Sequence, residues 1–390
     1  MQASPATAVQ DFRESSGRVL RIDPLMLVAT IGLIAASIYI VGTATQDDLP
    51  GDPNYFVYRQ AAYAAVGFVL MLLISRFDYS RLREWKLGIY GTLIASILLV
   101  YALGVSARGS KRAISLPFFS FQPSELGKLL LVVALAGFVV DRIRRLTDRE
   151  TTSRMVLLAV IPAMLVIGQP DLGSGLVYLA ILVAILFIAG TSWTHFAALA
   201  SLTAVAIALV LVAAPAAGVE VLKPYQQDRL TAFLSPGENQ SKEAYQVNQS
   251  LTAIGSGGKT GRGDEATQTK LDFLPEHHTD FVFSVVGEEF GFVGAALVLS
   301  LFALLIWRAL RTLTIAKNFY GALVAGGITA MLMFQVFVNV GMTIGIMPIT
   351  GIPLPLVSYG GSSVITTLMA IGLLQSIHAQ AREMAAVKRL

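Results

Sequence analysis

Two groups of charged residues in this sequence have the types and spacing that acid–base chemistry requires. Glu276, His278 and Asp280 lie together where a long polar segment ends and an apolar run begins. Glu125 and Lys128 lie three residues apart at the start of another apolar run, so a helix would place them on one face as a pair. A carboxylate at such a boundary could act as a general base on a substrate held at a membrane surface.

Both groups also have simpler structural interpretations. Thr279 or Asp280 would cap the following helix well, and Glu125 suits a first helical turn because that end of the helix dipole is positive. Lys128 has no such explanation, since a cation in the first turn opposes the dipole. Ionisable groups at membrane depth are costly and usually functional. We therefore predict catalytic roles for Asp280, Glu125 and Lys128.

Composition indicates which elements must position these residues. The chain has 390 residues, 55% of them hydrophobic and only 14% charged, with a mean hydropathy of +0.66. A bilayer core of about 30 Å needs roughly 20 apolar residues per helix. We predict an all-α, polytopic integral membrane protein with about ten transmembrane helices, at roughly 24–44, 59–76, 86–106, 123–141, 154–169, 174–190, 194–214, 281–308, 318–346 and 355–378.

The distribution of Lys and Arg predicts the orientation of these helices. Of the 29 such residues, 18 lie in short loops and tails on one side, which is therefore predicted to be cytoplasmic. Both termini then face the cytoplasm, and a large loop between helices seven and eight faces outward. About 23 polar and mixed residues precede the first apolar run, so no cleavable signal peptide is expected. The predicted organisation is a cytoplasmic tail (1–23), a single transmembrane domain (24–379) with its outer loop at about 215–280, and a cytoplasmic tail (380–390).

Several outer residues depart from this charge asymmetry. Arg112 precedes the fourth helix, whereas Arg229, Lys259 and Arg262 belong to the large loop. Each could be an ordinary solvated charge, but together they would surround one outer mouth and favour an anionic ligand. Asp171 lies in the short outward turn between helices five and six, where a simple turn does not strictly require it. We predict that all five residues bind substrate.

A glycine-rich segment of the large loop resembles a nucleotide-binding phosphate loop. Residues 253–260 match that pattern with alanine in place of the first glycine. The motif needs a preceding strand and a following helix, whereas Gly261–Asp264 here continue the loop, so ATP binding is not expected. The alternative is a mobile loop whose amides, with Lys259 or Arg262, approach a diphosphate.

The last two helices carry further polar residues. Gln335 and Asn339 are four apart on one face of helix nine. Three prolines within 348–355 predict a rigid re-entrant segment, and Ser358 and Ser362 follow it. We include these four side chains, with Glu276 and His278, among the predicted substrate-binding residues.

Composition also argues against several functional classes. The sequence has no cysteine, so disulfide and thiol chemistry are absent, and its four histidines do not have the spacing of a protein-held metal site. The basic residues are scattered among loops, so nucleic-acid binding is not implied.

The motifs together resemble the signature of the SEDS family (shape, elongation, division and sporulation). The similarity extends over most of the chain. At Thr267-Gln268 and Phe273–Glu276 the sequence is more similar to the elongation branch of the family than to the division branch. The matching segments are 122–125, 169–173, 249–250, 253–258, 273–276, 278–281, 339–341, 348–355 and 358–363. One departure is the string Arg112–Pro117, which lacks the family's usual tryptophan.

The resemblance implies a peptidoglycan glycosyltransferase that polymerises lipid II on the outer face of the cytoplasmic, or inner, membrane during cell-wall elongation. It also implies a class B penicillin-binding protein as transpeptidase partner, in addition to membrane lipid and the lipid II substrate. By position, Asp280 matches the family's essential acid, and Glu125 and Lys128 match its functional pair in helix four.

The chemistry of such a reaction fits these residues. A single carboxylate suffices as general base for displacement with inversion, and the leaving pyrophosphate needs positive charge from Lys128, Arg112, Arg229 or a divalent cation such as Mg or Mn. No protein-held metal is predicted. Two alternatives remain: a lipid II flippase, which ten helices and a broken segment would also suit, and a non-catalytic scaffold of the cell-wall machinery. An outward acid beside a large loop favours the enzyme.

Overall fold

The structure is a computed structural model, and part of the chain lies outside its description, including most of the predicted N-terminal tail. The residues described are 22–46, 51–107, 110–116, 119–145, 148–216, 218, 224–234, 241–270 and 273–387.

Ten apolar helices run through the described part of the chain, which confirms the predicted fold class. Nine of them have at least 18 residues and are apolar enough to cross a membrane, and the tenth, Leu172–Ile188, has 17. Three further helices belong to the large loop between the seventh and eighth apolar helices. In chain order the helices are α1 Pro24–Ala44, α2 Tyr55–Arg76, α3 Lys86–Leu103, α4 Pro123–Asp141, α5 Arg149–Gly168, α6 Leu172–Ile188, α7 Trp193–Ala216, α8 Pro224–Leu234, α9 Lys242–Ser256, α10 Thr267–Lys270, α11 Val282–Ile315, α12 Phe319–Thr343 and α13 Gly361–Val387.

A small antiparallel sheet lies between α3 and α4, where the sequence predicted only helix and loop. Its strands are β1 Val105–Ala107, β2 Ser110–Leu116 and β3 Phe119–Phe121, in the order β1-β2-β3. The predicted third helix, 86–106, therefore ends too late. Only Ile114–Leu116 of β2 alternate between apolar and polar residues, which is too short a period-two pattern to predict a strand from the sequence.

Burial differs sharply among the helices and determines where polar residues can lie. In their most apolar stretches, α4 is 83% buried and α13 is 89% buried, whereas α7 has no buried residue. α13 packs along α2, α11 packs on α1 and α12, and α4 packs on α3, α6 and α12. Glu125 and Lys128, near the start of α4, are therefore enclosed by protein and not by lipid.

Helix α11 is longer than predicted and contains a break. Gly291 has φ 62° and ψ −157°, values that only glycine adopts without strain, so the helical ladder is interrupted there. Backbone groups freed inside a membrane protein must find partners within the protein. Phe292 N donates to the carbonyl of Gly258 (3.0 Å) and Val293 N to that of Lys259 (3.1 Å), while Arg262 N donates to the carbonyl of Glu288 (2.8 Å).

The glycine-rich segment that begins at 253, for which the sequence left open an approach to a diphosphate, packs at this break. Helix α9 ends at Ser256, and Gly257 and Gly261 then press against the backbone of α11. The carbonyls of Gly258 and Lys259 and the amide of Arg262 bond to the broken helix, and the side chains of Lys259 and Arg262 are exposed. Glycine is required because the two backbones approach too closely for a side chain.

The close approach predicts a large steric effect at Gly257. A methyl group there would overlap the carbonyl oxygen of Gly287, although the φ of Gly257, −71°, suits any residue. We expect Gly257→Ala to destabilise the protein by roughly 1–3 kcal/mol through overpacking. Thermal unfolding of the purified protein in detergent measures this. Gly255→Ala is the matched control, because nothing lies within 4 Å of the added group, and an equal loss in both variants would contradict the account.

Candidate functional site

A cavity of about 800 Å³ opens at the end of the bundle where α2, α4 and α13 begin and where α9 and the segment before α11 lie. It is lined by side chains from segments that are far apart in the sequence. Seven of the residues predicted from the sequence line it: Arg112, Glu125, Asp171, Arg229, Glu276, Asp280 and Ser362.

A tight turn and two buried side chains position Asp280. The carbonyl of Glu276, whose φ is 60°, accepts hydrogen bonds from Thr279 N and Phe281 N. Behind the turn, Asn339 Nδ2 donates to the carbonyl of Asp280 at 2.8 Å, and Ser358 Oγ donates to that of Thr279 at 2.6 Å. The predicted roles of Asn339 and Ser358 at the substrate thus become roles in fixing the backbone that carries the acid.

Asp280 is not the N-cap of α11, which corrects the simpler interpretation of this residue. The helix begins at Val282, and its N-cap is Phe281, which makes no side-chain cap. The carboxylate instead lines the cavity. A functional role therefore explains an acid at position 280 better than helix capping does.

Gly351 brings the carboxylate of Asp280 and the guanidinium of Arg229 near one point. A Cβ built on this glycine would lie 3.4 Å from Asp280 Oδ2 and 3.9 Å from Arg229 Nη2. The φ of Gly351 is +72°, so glycine also suits the backbone here. Arg229 Nη1 donates to the carbonyl of Thr350 at 3.3 Å. The re-entrant segment predicted at 348–355 thus anchors the cation beside the acid.

Glu125 and Lys128 form a buried ion pair in the first turn of α4. Lys128 Nζ lies 2.6 Å from Glu125 Oε1, and the two side chains are only 2% and 5% exposed. Glu125 lines the cavity, whereas Lys128 lies behind it. Removal of either side chain would leave the other as an uncompensated buried charge.

Asp171 joins α4 to α6 at the cavity. Its Oδ1 accepts from Ser174 N and so caps α6, while its Oδ2 accepts from Ser124 Oγ at 2.7 Å and Gln122 Nε2 at 3.2 Å. Ser362 extends this network by accepting from Gln122 N at 2.9 Å. The Asp171 carboxylate therefore both caps α6 and links α6 to the start of α4 at the cavity.

The remaining predicted residues lie away from the cavity lining. The ring of His278 packs against Phe56 and Tyr359, with centroids 5.3 and 5.8 Å apart. Gln335 is buried in α12, where its Oε1 has no hydrogen-bond partner in the described part of the chain. Lys259 and Arg262 lie at the break in α11, so the structure does not bring them to Asp280.

Several cavity residues escaped the sequence analysis, and two of them, Tyr55 and Phe56, precede the predicted start of the second helix at 59. Tyr55, Phe56, Arg59 and Tyr63 on α2 line the cavity, as does Tyr359. Arg59 Cζ lies 4.8 Å from the centroid of the Tyr55 ring, within cation–π distance. Burial raises the pKa of Tyr359 to about 12, so its phenol remains a hydrogen-bond donor at neutral pH. The sequence signal that could have revealed these residues is the cluster of aromatic side chains and one arginine at 55–59.

The described residues contain no group of three or more His, Asp or Glu side chains arranged to hold a metal ion. The guanidinium groups of Arg112 and Arg229 line the same cavity and supply positive charge from the protein.

The protein therefore combines a polytopic membrane fold with an acid, a buried carboxylate–ammonium pair and arginines around one polar cavity. The family model FTSW_RODA_SPOVE, described as a cell cycle protein, matches residues 19–383. Because the match spans most of the sequence, the chain belongs to this family, and the resemblance inferred from the motifs is confirmed.

Individual relatives and solved structures agree with that assignment. Stage V sporulation protein E of Bacillus subtilis (strain 168) is 34% identical, over 95% of this chain and 99% of its own. Peptidoglycan glycosyltransferase MrdB of Escherichia coli (strain K12) is also 34% identical, over 92% and 94%. Among structures, RodA of Thermus thermophilus is similar with a TM-score of 0.65 and 31% identity, over 92% of this chain and 96% of that one. A chain from a study of structural coordination of polymerization and crosslinking by a peptidoglycan synthase complex gives 0.75 and 32%, over 92% and 98%.

Proposed function

We propose that this protein is a peptidoglycan glycosyltransferase that polymerises lipid II in cell-wall synthesis. The observation that carries the proposal is the carboxylate of Asp280 beside the guanidinium of Arg229 in a polar cavity of the membrane fold. Curated relatives that cover nearly the whole chain are named as peptidoglycan glycosyltransferases, which supports the same chemistry. We further propose that it acts in cell-wall elongation, because its sequence at Thr267-Gln268 and Phe273–Glu276 is more similar to the elongation branch of the family.

In this reaction Asp280 acts as the general base. The 4-hydroxyl of the acceptor sugar attacks the anomeric carbon of the donor, and its proton passes to the Asp280 carboxylate. The bond from that carbon to the lipid pyrophosphate breaks with inversion, and the pyrophosphate leaves with the electron pair. Arg229 and Arg112 stabilise the developing negative charge. Glu125 contacts the substrate from the cavity wall, and Lys128 holds the Glu125 carboxylate in place through their ion pair.

Orientation follows from the charge distribution and the nature of the substrate. We infer that the protein lies in the cytoplasmic (inner) membrane, with both termini inside and the cavity facing outward. The Arg- and Lys-rich short loops lie at the opposite end of the helices from the cavity, as the positive-inside rule requires. A polyprenyl-linked donor would keep its tail in the bilayer while its head group enters the cavity.

Single cysteines test this topology, because the native sequence has none. Glu265→Cys changes an exposed residue of the large loop and should react with an impermeant thiol reagent in intact cells. Ser153→Cys, exposed on α5 at the other end, should react only after the cells are opened. The reverse labelling pattern would overturn the orientation and, with it, the position of the site.

A class B penicillin-binding protein is the proposed partner. The similar structure from a study of coupled polymerization and crosslinking supports an association of this kind. A glycan strand leaving the cavity needs crosslinking by a transpeptidase, so a shared complex would place the two reactions together.

Purified protein in liposomes with labelled lipid II tests the proposal and its main alternative together. We expect glycan polymer on a gel. Movement of lipid II between leaflets without polymer would instead indicate a flippase, which a ten-helix bundle with a broken segment could also be. Neither polymer nor transport, even with the partner present, would indicate a scaffold. Repeating the reaction with a chelator tests whether a divalent cation contributes.

A further inference from the structure

One side of the cavity is a continuous row of aromatic side chains that the proposed mechanism does not use. Tyr55 and Phe56 lie with ring centroids 5.3 Å apart, Phe56 and Tyr359 5.2 Å apart, and Tyr359 and Tyr63 6.4 Å apart. All four line the cavity, and all four are only partly buried. We refer to these four residues as the aromatic wall.

The aromatic wall is neither hydrophobic core nor a membrane-interface belt. Core residues of this protein are almost fully buried, whereas these rings keep surface in the cavity. Tyr58, in the same turn of α2, is 67% exposed and does not line the cavity, as expected of an interfacial tyrosine. Apolar rings that face a polar cavity instead of lipid or core indicate a ligand with apolar faces.

The position of the aromatic wall relates it directly to the reacting groups. The His278 ring packs against Phe56 and Tyr359, and Asp280 follows two residues later in the turn that enters the cavity. A flat molecule that rests on the face of Phe56 or of Tyr359, whose ring planes are 86° apart, would lie in the cavity that Asp280 also lines. Arg59, over the Tyr55 ring, adds hydrogen-bond donors within the same surface.

We propose that the aromatic wall is a sugar-binding subsite that holds N-acetylated pyranose rings of the growing glycan strand. A pyranose presents flat faces of C–H groups that pack on aromatic rings, while its hydroxyl and acetamido groups reach polar donors such as Arg59. This inference rests on the proposed function, because the strand it holds is the polymerisation product. The subsite keeps the strand end next to Asp280 between additions, so its loss shortens the product.

Phe56 is the residue to change, because its side chain has no polar atom that could take part in acid–base chemistry. Phe56→Leu keeps an apolar side chain of similar bulk and removes the flat ring, whereas Phe56→Tyr keeps the ring. Tyr58→Leu is the matched control on the lipid side of the same turn. A packing role for Phe56 would be largely preserved by leucine, but a stacking role would be preserved only by tyrosine.

Two measurements on the purified full-length protein test the subsite. Calorimetric binding of chitotetraose, a soluble oligomer of N-acetylglucosamine, should weaken about two- to tenfold in Phe56→Leu, the range expected for one aromatic contact, and remain unchanged in Phe56→Tyr and Tyr58→Leu. In the lipid II assay, Phe56→Leu should give shorter strands by a similar factor. Equal chitotetraose binding by Phe56→Leu and the wild type, or no binding by the wild type, would overturn the subsite. Binding that depends on Phe56 in a wild-type protein that makes no polymer would preserve the subsite and reject the polymerase.

Discussion

Replacing Asp280 with asparagine should abolish nearly all lipid II polymerisation while leaving the fold intact. Asparagine has the same size and can still accept a hydrogen bond, but it cannot take a proton. General-base assistance is typically worth about 10²–10⁴-fold, or roughly 3–5.5 kcal/mol of barrier. The glycan gel with purified Asp280→Asn and wild-type protein measures the loss.

Stability and partner binding are the controls for this prediction. The backbone around Asp280 is held through carbonyl groups by Asn339 and Ser358, so the substitution leaves those bonds in place. Thermal unfolding and co-purification with the partner should match the wild type. Turnover above about a tenth of the wild-type value would mean that Asp280 is not the base, since even the smallest usual effect is larger.

The second large effect is expected at the Glu125–Lys128 pair. Removing one partner of a buried ion pair leaves an uncompensated charge and costs about 3–5 kcal/mol. Lys128→Ala and Glu125→Ala should therefore each lower the unfolding temperature and impair polymerisation. The double variant should be no worse than the poorer single variant, because coupled residues do not contribute additively.

An exposed pair on α5 provides the comparison. Glu150 and Arg154 also form an ion pair on one helix, but their side chains are 75% and 55% exposed. Glu150→Ala should leave both unfolding temperature and polymerisation near wild type, because exposed ion pairs contribute little. Additive losses at Glu125 and Lys128, or an equal loss at Glu150, would argue against a coupled functional pair.

Local spacing made some of the site predictable from the sequence. The three-residue separation of Glu125 and Lys128 is enough to pair them on a helix, and hydropathy alone locates that helix. The membrane fold followed from the same physics, because apolar runs of about 20 residues have few alternatives in a bilayer. Asp280 was singled out by its place between a polar loop and an apolar helix.

Contacts between distant segments were not predictable in this way. The Gly-rich segment at 253–263 has the composition of a phosphate-binding loop, but Gly257 and Gly261 are explained by a helix break at Gly291, about 30 residues later. No local sequence pattern indicates that contact. Tyr55 and Phe56 were missed for a different reason: mildly polar first turns of membrane helices lie outside the hydropathy signal, although here they form part of the cavity.

The most direct test of the central claim is the pH dependence of the first glycosidic bond, measured under single-turnover conditions in wild type and Asp280→Asn. A carboxylate base is active only when ionised, so the wild-type rate should fall about tenfold per pH unit below the pKa of Asp280. The residual rate of Asp280→Asn should be independent of pH over the same range. If the asparagine variant keeps the acid limb of the wild type, another group is the base and the account is contradicted.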